Sequence, residues 1–253
     1  MAASNHVRIL DQRTLAERDR PFLPGAGKTW LLPFYDAFTR VAGVPALHER
    51  AVELAGIEPG QAVADVGCGT GNLSFAVLAA QPGARVTGLD PDADALRRAA
   101  RKARRRGVAL TLVQGYADRL PTEDATLDHV VSSLALHHVD DEGRTAFARD
   151  ALRALRPGGR VTIADFGGPA SHADDAGHPT HGHGHGPFHA LRHLPRLIRS
   201  RVAHSPVVAR NHGDGIVALL AEAGFGDARE VAHADHRLGR VTFVQATRPV
   251  SQT

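Results

Sequence analysis

Val63-Ala64-Asp65-Val66-Gly67-Cys68-Gly69-Thr70-Gly71-Asn72 is the stretch that decides the fold. An apolar strand-like run enters alternate glycines, and an apolar helical run over 72–80 begins at once. Glycines there let the chain turn sharply and let a ligand lie against bare main chain. The helix N-terminus that follows adds N–H groups. Asp90 closes the next strand twenty-three residues after Gly67, where a carboxylate accepts hydrogen bonds from a ribose diol. A dinucleotide fingerprint needs glycine at position 72, and this chain has Asn72. The spacing is G-x-G-x-G, with Asp65 two residues ahead of the first glycine. A carboxylate there suits a ligand carrying an ammonium group and disfavours a pyrophosphate.

Working outward, strands are expected over 62–66, 85–90, 110–114, 128–133 and 160–166, with helices over 72–80, 93–106 and 145–156. Pro157-Gly158-Gly159 stops the last of these helices. Such alternation implies a parallel sheet covered on both faces. A helix over 211–224 and a strand pair over 228–232 and 240–247 are expected to complete the chain. The expected organisation is an N-terminal helical lid segment, 1–44, then a core, 45–253, interrupted by a His/Gly-rich loop at 167–187.

The stretches VADVGCGTGNLS (63–74), VTGLDPD (86–92), QGYADRLP (114–121), LDHVVSSLALHHV (127–139) and LRPGGRVTIADF (155–166) together resemble the class I S-adenosylmethionine-dependent methyltransferases. Within that family the chain is similar to the small-molecule branch of the ubiquinone/menaquinone C-methyltransferases. The resemblance implies an α/β fold, a doubly wound, seven-stranded, mostly parallel Rossmann-like sheet with an antiparallel last strand. It implies S-adenosylmethionine as cofactor. By position, Asp65 and the Gly67, Cys68, Gly69, Gly71 and Asn72 turn would hold the amino-acid end, and Asp90 with Pro91 the ribose. Ala117 would meet the adenine through its N–H, and Ser133 and Leu134 would line the same site. Many members carry an acid directly after the glycine of the third stretch; here Tyr116 stands there and Asp118 lies two residues on. Tyr116 is expected against the adenine face, with Asp118 a candidate for the adenine amino group; an ordinary strand-end aromatic is the other reading of Tyr116.

A sulfonium methyl is already electrophilic, so the protein has chiefly to align a nucleophile and exclude water. A base is needed only where the acceptor atom keeps its proton. His137, His138 and Asp165 stand at the carboxyl ends of strands and are the catalytic candidates. In the family the chain resembles, the histidine pair often packs and hydrogen-bonds structurally instead, and Asp165 either touches substrate or caps a turn. Phe34, Tyr35 and Phe38 resemble the family's lid, or else anchor an N-terminal helix. Gly25-Ala26-Gly27-Lys28-Thr29 looks like the end of a phosphate loop, but Phe22 stands where that motif needs glycine.

The chain has 253 residues, a formal charge of +3, 16 histidines and a single cysteine. One cysteine excludes an internal disulfide and a multi-cysteine metal site. With no apolar signal core at the start and no span-length apolar run, the protein is expected to be soluble, cytoplasmic and without a membrane span. Seven histidines fall within 172–193, among them His185 and His189, either a substrate-facing or metal-binding loop or a solvated tract; no metal is required by the expected chemistry. Seven basic residues crowd 96–106, opposite an apolar stripe of Leu96, Ala99, Ala100 and Ala103. A solvated helix face explains that run, and no nucleic-acid partner is expected. The expected activity is methyl transfer to a small-molecule acceptor by direct displacement. Its rivals are an RNA methyltransferase docking through 96–106, and a non-catalytic S-adenosylmethionine- or metal-binding protein.

Overall fold

The computed structural model describes residues 6–20, 22, 39–167, 214–236 and 239–250. Among them run strands β1 (Val7–Asp11), β2 (Ala62–Val66), β3 (Arg85–Asp90), β4 (Leu110–Gln114), β5 (Leu127–Ser133), β6 (Leu155–Phe166), β7 (Gly226–His236) and β8 (Gly239–Thr247). The helices are α1 (Val44–Ala55), α2 (Asn72–Ala80), α3 (Ala93–Arg106), α4 (Asp141–Ala154) and α5 (Gly215–Glu222). All eight strands form one sheet in the order β1-β4-β3-β2-β5-β6-β8-β7. β1 to β6 run parallel, and β8 enters antiparallel between β6 and β7. The order reverses between β2 and β5, so their carboxyl ends frame the crevice of a doubly wound sheet.

Strand residues alternate between two cores, as a sheet covered on both sides requires. Val63, Leu112, Val131, Ala164 and Phe243 pack with Leu47 of α1, Phe75 of α2 and Leu96 of α3. Their neighbours Ala64, Val113, Val130, Ile163 and Val244 pack with Phe147 of α4 and Leu220 of α5. α3 shows how sequence sets this. Asp92 caps it, its Oδ1 accepting the Asp94 and Ala95 N–H groups at 2.8 and 3.2 Å. Leu96, Ala99, Ala100 and Ala103 are buried as expected, and the helix ends at Gly107. Arg101, Arg104, Arg105 and Arg106 are exposed.

The sheet corrects the expectation of seven strands to eight. The added one, β1, lies in the stretch expected to be helical, and it pairs in register from Val7↔Leu110 to Asp11↔Gln114. Four of its five residues are exposed on both faces, and the apolar neighbours Ile9 and Leu10 break the alternation that marks a half-buried strand. α4 begins at Asp141, four residues earlier than expected, because the Asp140 carboxylate caps it through the Gly143 N–H at 2.8 Å. It ends at Ala154, and Leu155 turns extended before Pro157 is reached. α5 is the described part of the helix expected over 211–224, and β7 is longer than expected.

Phe243 is fully buried where β8 meets α1 and Phe166. Phe243→Ala should lower the unfolding free energy by about 3–5 kcal/mol in urea titration, as truncation of a buried aromatic does.

Candidate functional site

At the reversal point lies a cavity of about 210 Å³. Its floor is the turn from β2 into α2. Gly67 has φ +73°, and a Cβ there would stand 2.3 Å from the Ala135 Cβ, so only glycine lets the ends of β2 and β5 close to this distance. Gly67 and Cys68 donate their N–H groups to the Leu89 carbonyl at 2.8 and 3.1 Å, tying the turn to β3. Cys68 packs its Sγ against Gly88, and burial pushes its thiol well up, so it is an inert packing group on the cavity wall.

Two acids face the turn. Asp65, 1% exposed, accepts the Ser74 hydroxyl at 2.6 Å, and burial pushes its carboxyl up to about 7. Asp90 accepts the Gly69 N–H at 2.8 Å on one oxygen and the Asp92 N–H at 2.8 Å on the other. Burial raises it to about 6, against the pull of those two donors. Each Asp90 oxygen keeps a lone pair for a further donor. Gly69, Asn72 and Pro91 line the cavity with these acids, whereas Gly71 only shapes the turn behind it.

The opposite wall comes from the ends of β4 and β5. Tyr116, Ala117, Asp118, Ser133 and Leu134 all line it, so the residues expected around one ligand do converge. Leu134 has φ +53°, a strained conformation for a non-glycine residue, and its N–H is held by the Ala164 carbonyl at 2.8 Å. Asp118 Oδ1 and Ser133 Oγ are enclosed and have no hydrogen-bond partner among the described residues. Enclosed polar atoms of this kind cost about 1–3 kcal/mol each until a partner arrives, so this wall is incomplete without one.

The three catalytic candidates separate. Asp165 is fully buried and away from the cavity. It accepts the His137 ring Nδ1 at 2.6 Å, the His137 N–H at 3.0 Å and the Phe166 N–H at 2.7 Å. Since a carboxylate accepts, His137 Nδ1 carries the proton, and the pair is a buried brace behind the wall. His137 stacks tilted against His138, with ring centroids 4.0 Å apart. His138 alone of the three lines the cavity, and burial, helped by His137, pushes it down to about 4, so it is a neutral acceptor at pH 7.

Several lining residues were not anticipated: Arg20, Phe22, His48 and Phe147. Burial also holds His48 down, to about 4, with Lys102 adding to it. Helical spacing in α1 places His48 in line with Val44, Ala51 and Val52, so an apolar stripe carrying one histidine was its only signal. Arg20 had none, because its position depends on β1. A larger open concavity of about 1030 Å³ between α1, α2 and α3 shares His48 and Asn72 with this one. Phe34, Tyr35, Phe38, His185 and His189, together with the loop 168–187, lie outside the described residues. Among the described residues no three His, Cys, Asp or Glu side chains group as a metal site, and no helix is long and apolar enough to cross a membrane.

Residues 63–159 match a family model described as a methyltransferase domain. An uncharacterized methyltransferase of Synechocystis is 35% identical over 135 residues, covering 53% of this chain and 61% of the relative. The chain therefore spans somewhat under two thirds of that protein. A demethylmenaquinone methyltransferase of Thermus thermophilus is 28% identical over 207 residues, covering 77% of this chain and 89% of its own. In fold, the chain is similar to a SAM-dependent methyltransferase from Aquifex aeolicus, with a TM-score of 0.53, 17% identity, and coverage of 79% of this chain and 88% of that one.

His137→Phe should leave Asp165 buried with one donor fewer. The expected loss is about 2–3 kcal/mol of stability in denaturant titration. Unaltered stability would mean that the brace carries no load.

Proposed function

We propose that the chain, which matches a methyltransferase domain over residues 63–159, is a class I S-adenosylmethionine-dependent methyltransferase that methylates a small molecule held in the β2/β5 cavity, by direct displacement. The cofactor supplies a methyl group on a sulfonium, electrophilic without further activation. The residues present fit it. A glycine turn that a single Cβ would block, two buried acids with spare acceptor capacity, and two enclosed polar atoms without partners among the described residues lie around one cavity. In this reading Asp65 meets the ammonium end, Asp90 the ribose hydroxyls, and the wall at Tyr116, Ala117 and Asp118 the adenine.

The observation that carries the small-molecule reading is the size of this concave cavity at the strand ends. Arg20 and Phe22 line it together with Asp140 and Gly143, the Arg20 guanidinium lying beside Gly143, around about 210 Å³. An RNA strand would need an open basic groove with aromatic platforms. The exposed arginines at 104–106 instead close α3 at its far end, about 14 Å along the helix from Ala95 on the cavity wall. The Thermus relative, by its name, acts on demethylmenaquinone, which supports an acceptor of quinol-like chemistry here.

His138 then orients the acceptor. A ring nitrogen of a neutral imidazole accepts a hydrogen bond from an acidic hydroxyl, such as a phenol or quinol, and steers the adjoining nucleophile toward the methyl. Its lowered basicity suits orientation of an acidic hydroxyl better than removal of a proton from an aliphatic alcohol.

The deciding experiment is transfer of labelled methyl from S-adenosylmethionine to quinol-type small molecules and, separately, to RNA. Label should appear on a small molecule and not on RNA, unchanged when Arg101, Arg104 and Arg105 are replaced by Ala. His138→Ala should reduce kcat about 100-fold with cofactor affinity retained. Label on RNA alone would overturn the reading.

Affinity for S-adenosylhomocysteine should depend on pH with a fixed sign. An ammonium partner favours the ionised carboxylate, and free Asp65 holds its proton up to about pH 7. Binding should therefore be full above that pH and fall by up to about tenfold per unit below it, Asp90 acting in the same direction. Calorimetry from pH 5.5 to 8.5 should show this slope in the wild type and a flatter one in Asp65→Asn.

A further inference from the structure

Arg20 lies well before residues 63–159, yet three of its contacts converge on the cavity wall. Its carbonyl accepts the Tyr116 hydroxyl at 2.5 Å, and its guanidinium stands 4.6 Å from the centre of the Tyr116 ring. Its Nη1 forms an ion pair with Asp118 Oδ2. Arg20 therefore grips both residues that flank Ala117, at the point where this chain has tyrosine in place of an acid.

The approach of Arg20 is itself fixed. β1 pairs with β4, and the Gln12 N–H continues that pairing to the Gln114 carbonyl at 3.0 Å. Arg119 then binds the Gln12 carbonyl at 2.6 Å and the Glu17 carboxylate at 2.8 Å. A short helical turn at Ala16–Asp19 follows, and Arg20 emerges over the cavity.

The consequence lies in the two Asp118 oxygens. One is neutralised by Arg20; the other, Oδ1, is enclosed with no hydrogen-bond partner among the described residues. A carboxylate without its cation would turn both oxygens toward water and present no fixed direction. Paired on one side, it is a single directed acceptor, and the ion pair leaves the wall close to neutral, which suits an uncharged base.

We propose that Arg20 is a positioning residue that fixes Asp118, so that Oδ1 selects a base carrying an exocyclic amino group, with Tyr116 held alongside as a wall. This rests on the cofactor reading above. A 6-oxo base would set acceptor against acceptor at the same place, so the arrangement discriminates as well as binds.

The test compares S-adenosylhomocysteine with its 6-oxo analogue, S-inosylhomocysteine, by calorimetry on the full chain. Wild type should prefer the 6-amino form by about 10- to 100-fold, the range of a hydrogen bond to a charged acceptor. Arg20→Ala should shrink that preference to within about threefold, and Arg20→Lys should restore part of it. Asp118→Asn should raise affinity for the 6-oxo form, because an amide offers it a donor. A purely structural Arg20 would weaken both ligands alike and leave the ratio intact, and that result overturns the proposal. Equal binding of both forms by wild type overturns it too, while leaving the cofactor reading standing. If wild type binds neither ligand, the cofactor reading falls and this proposal with it. Should Arg20→Ala fail to fold, the ratios in Arg20→Lys and Asp118→Asn decide.

Discussion

The approach of Gly67 to Ala135 is the constraint on which the site depends. A methyl group on Gly67 would lie 2.3 Å from the Ala135 side chain. β2 and β5 can therefore end side by side only because one of them ends in glycine. From that contact follow the rest of the positions. Ser132 Oγ donates to the Val66 carbonyl at 2.8 Å, Leu134 is held at φ +53°, and Asp65 is buried at the cavity where the turn begins. The conformational cost at Leu134 is of the order of 1–3 kcal/mol and is sustained by packing on both faces of the sheet.

Around this point the electrostatics divide by depth. Asp165 lies behind the wall with three donors and serves rigidity. Asp65 and Asp90 lie at the cavity with fewer donors than their lone pairs could take, and burial raises them toward neutral pH. A fully satisfied acid is a brace, and an acid left short of donors is poised for a ligand. The same division separates two adjacent histidines: His137 is spent on Asp165, and His138 is open to the cavity.

Much of this was legible in the residues. The bounds of β2, β3, β4, α2 and α3 follow from apolar period, glycine and caps, and the turn with Asp65 and Asp90 follows from spacing alone. What periodicity could not supply was burial of individual polar groups. His137 and Asp165 were open to both catalysis and packing, because a strand-end address does not say which side of the wall a side chain takes. β1 was missed for a related reason. An edge strand exposed on both faces has no apolar alternation to betray it, and Arg20, delivered by that strand, had no signal of its own. Long-range pairing, here β1 on β4 across about a hundred residues of chain, is information that a local pattern does not contain.

The edge position of β1 has one more consequence. Val7–Asp11 is held to the sheet on one side only, yet the turn that follows it carries a residue of the cavity wall. Filling the cavity and fastening the outermost strand are then one linked equilibrium, since whatever favours the docked Arg20 favours the docked strand by the same free energy. A ligand that holds Arg20 in place would by the same linkage help to hold β1 at the edge of the sheet.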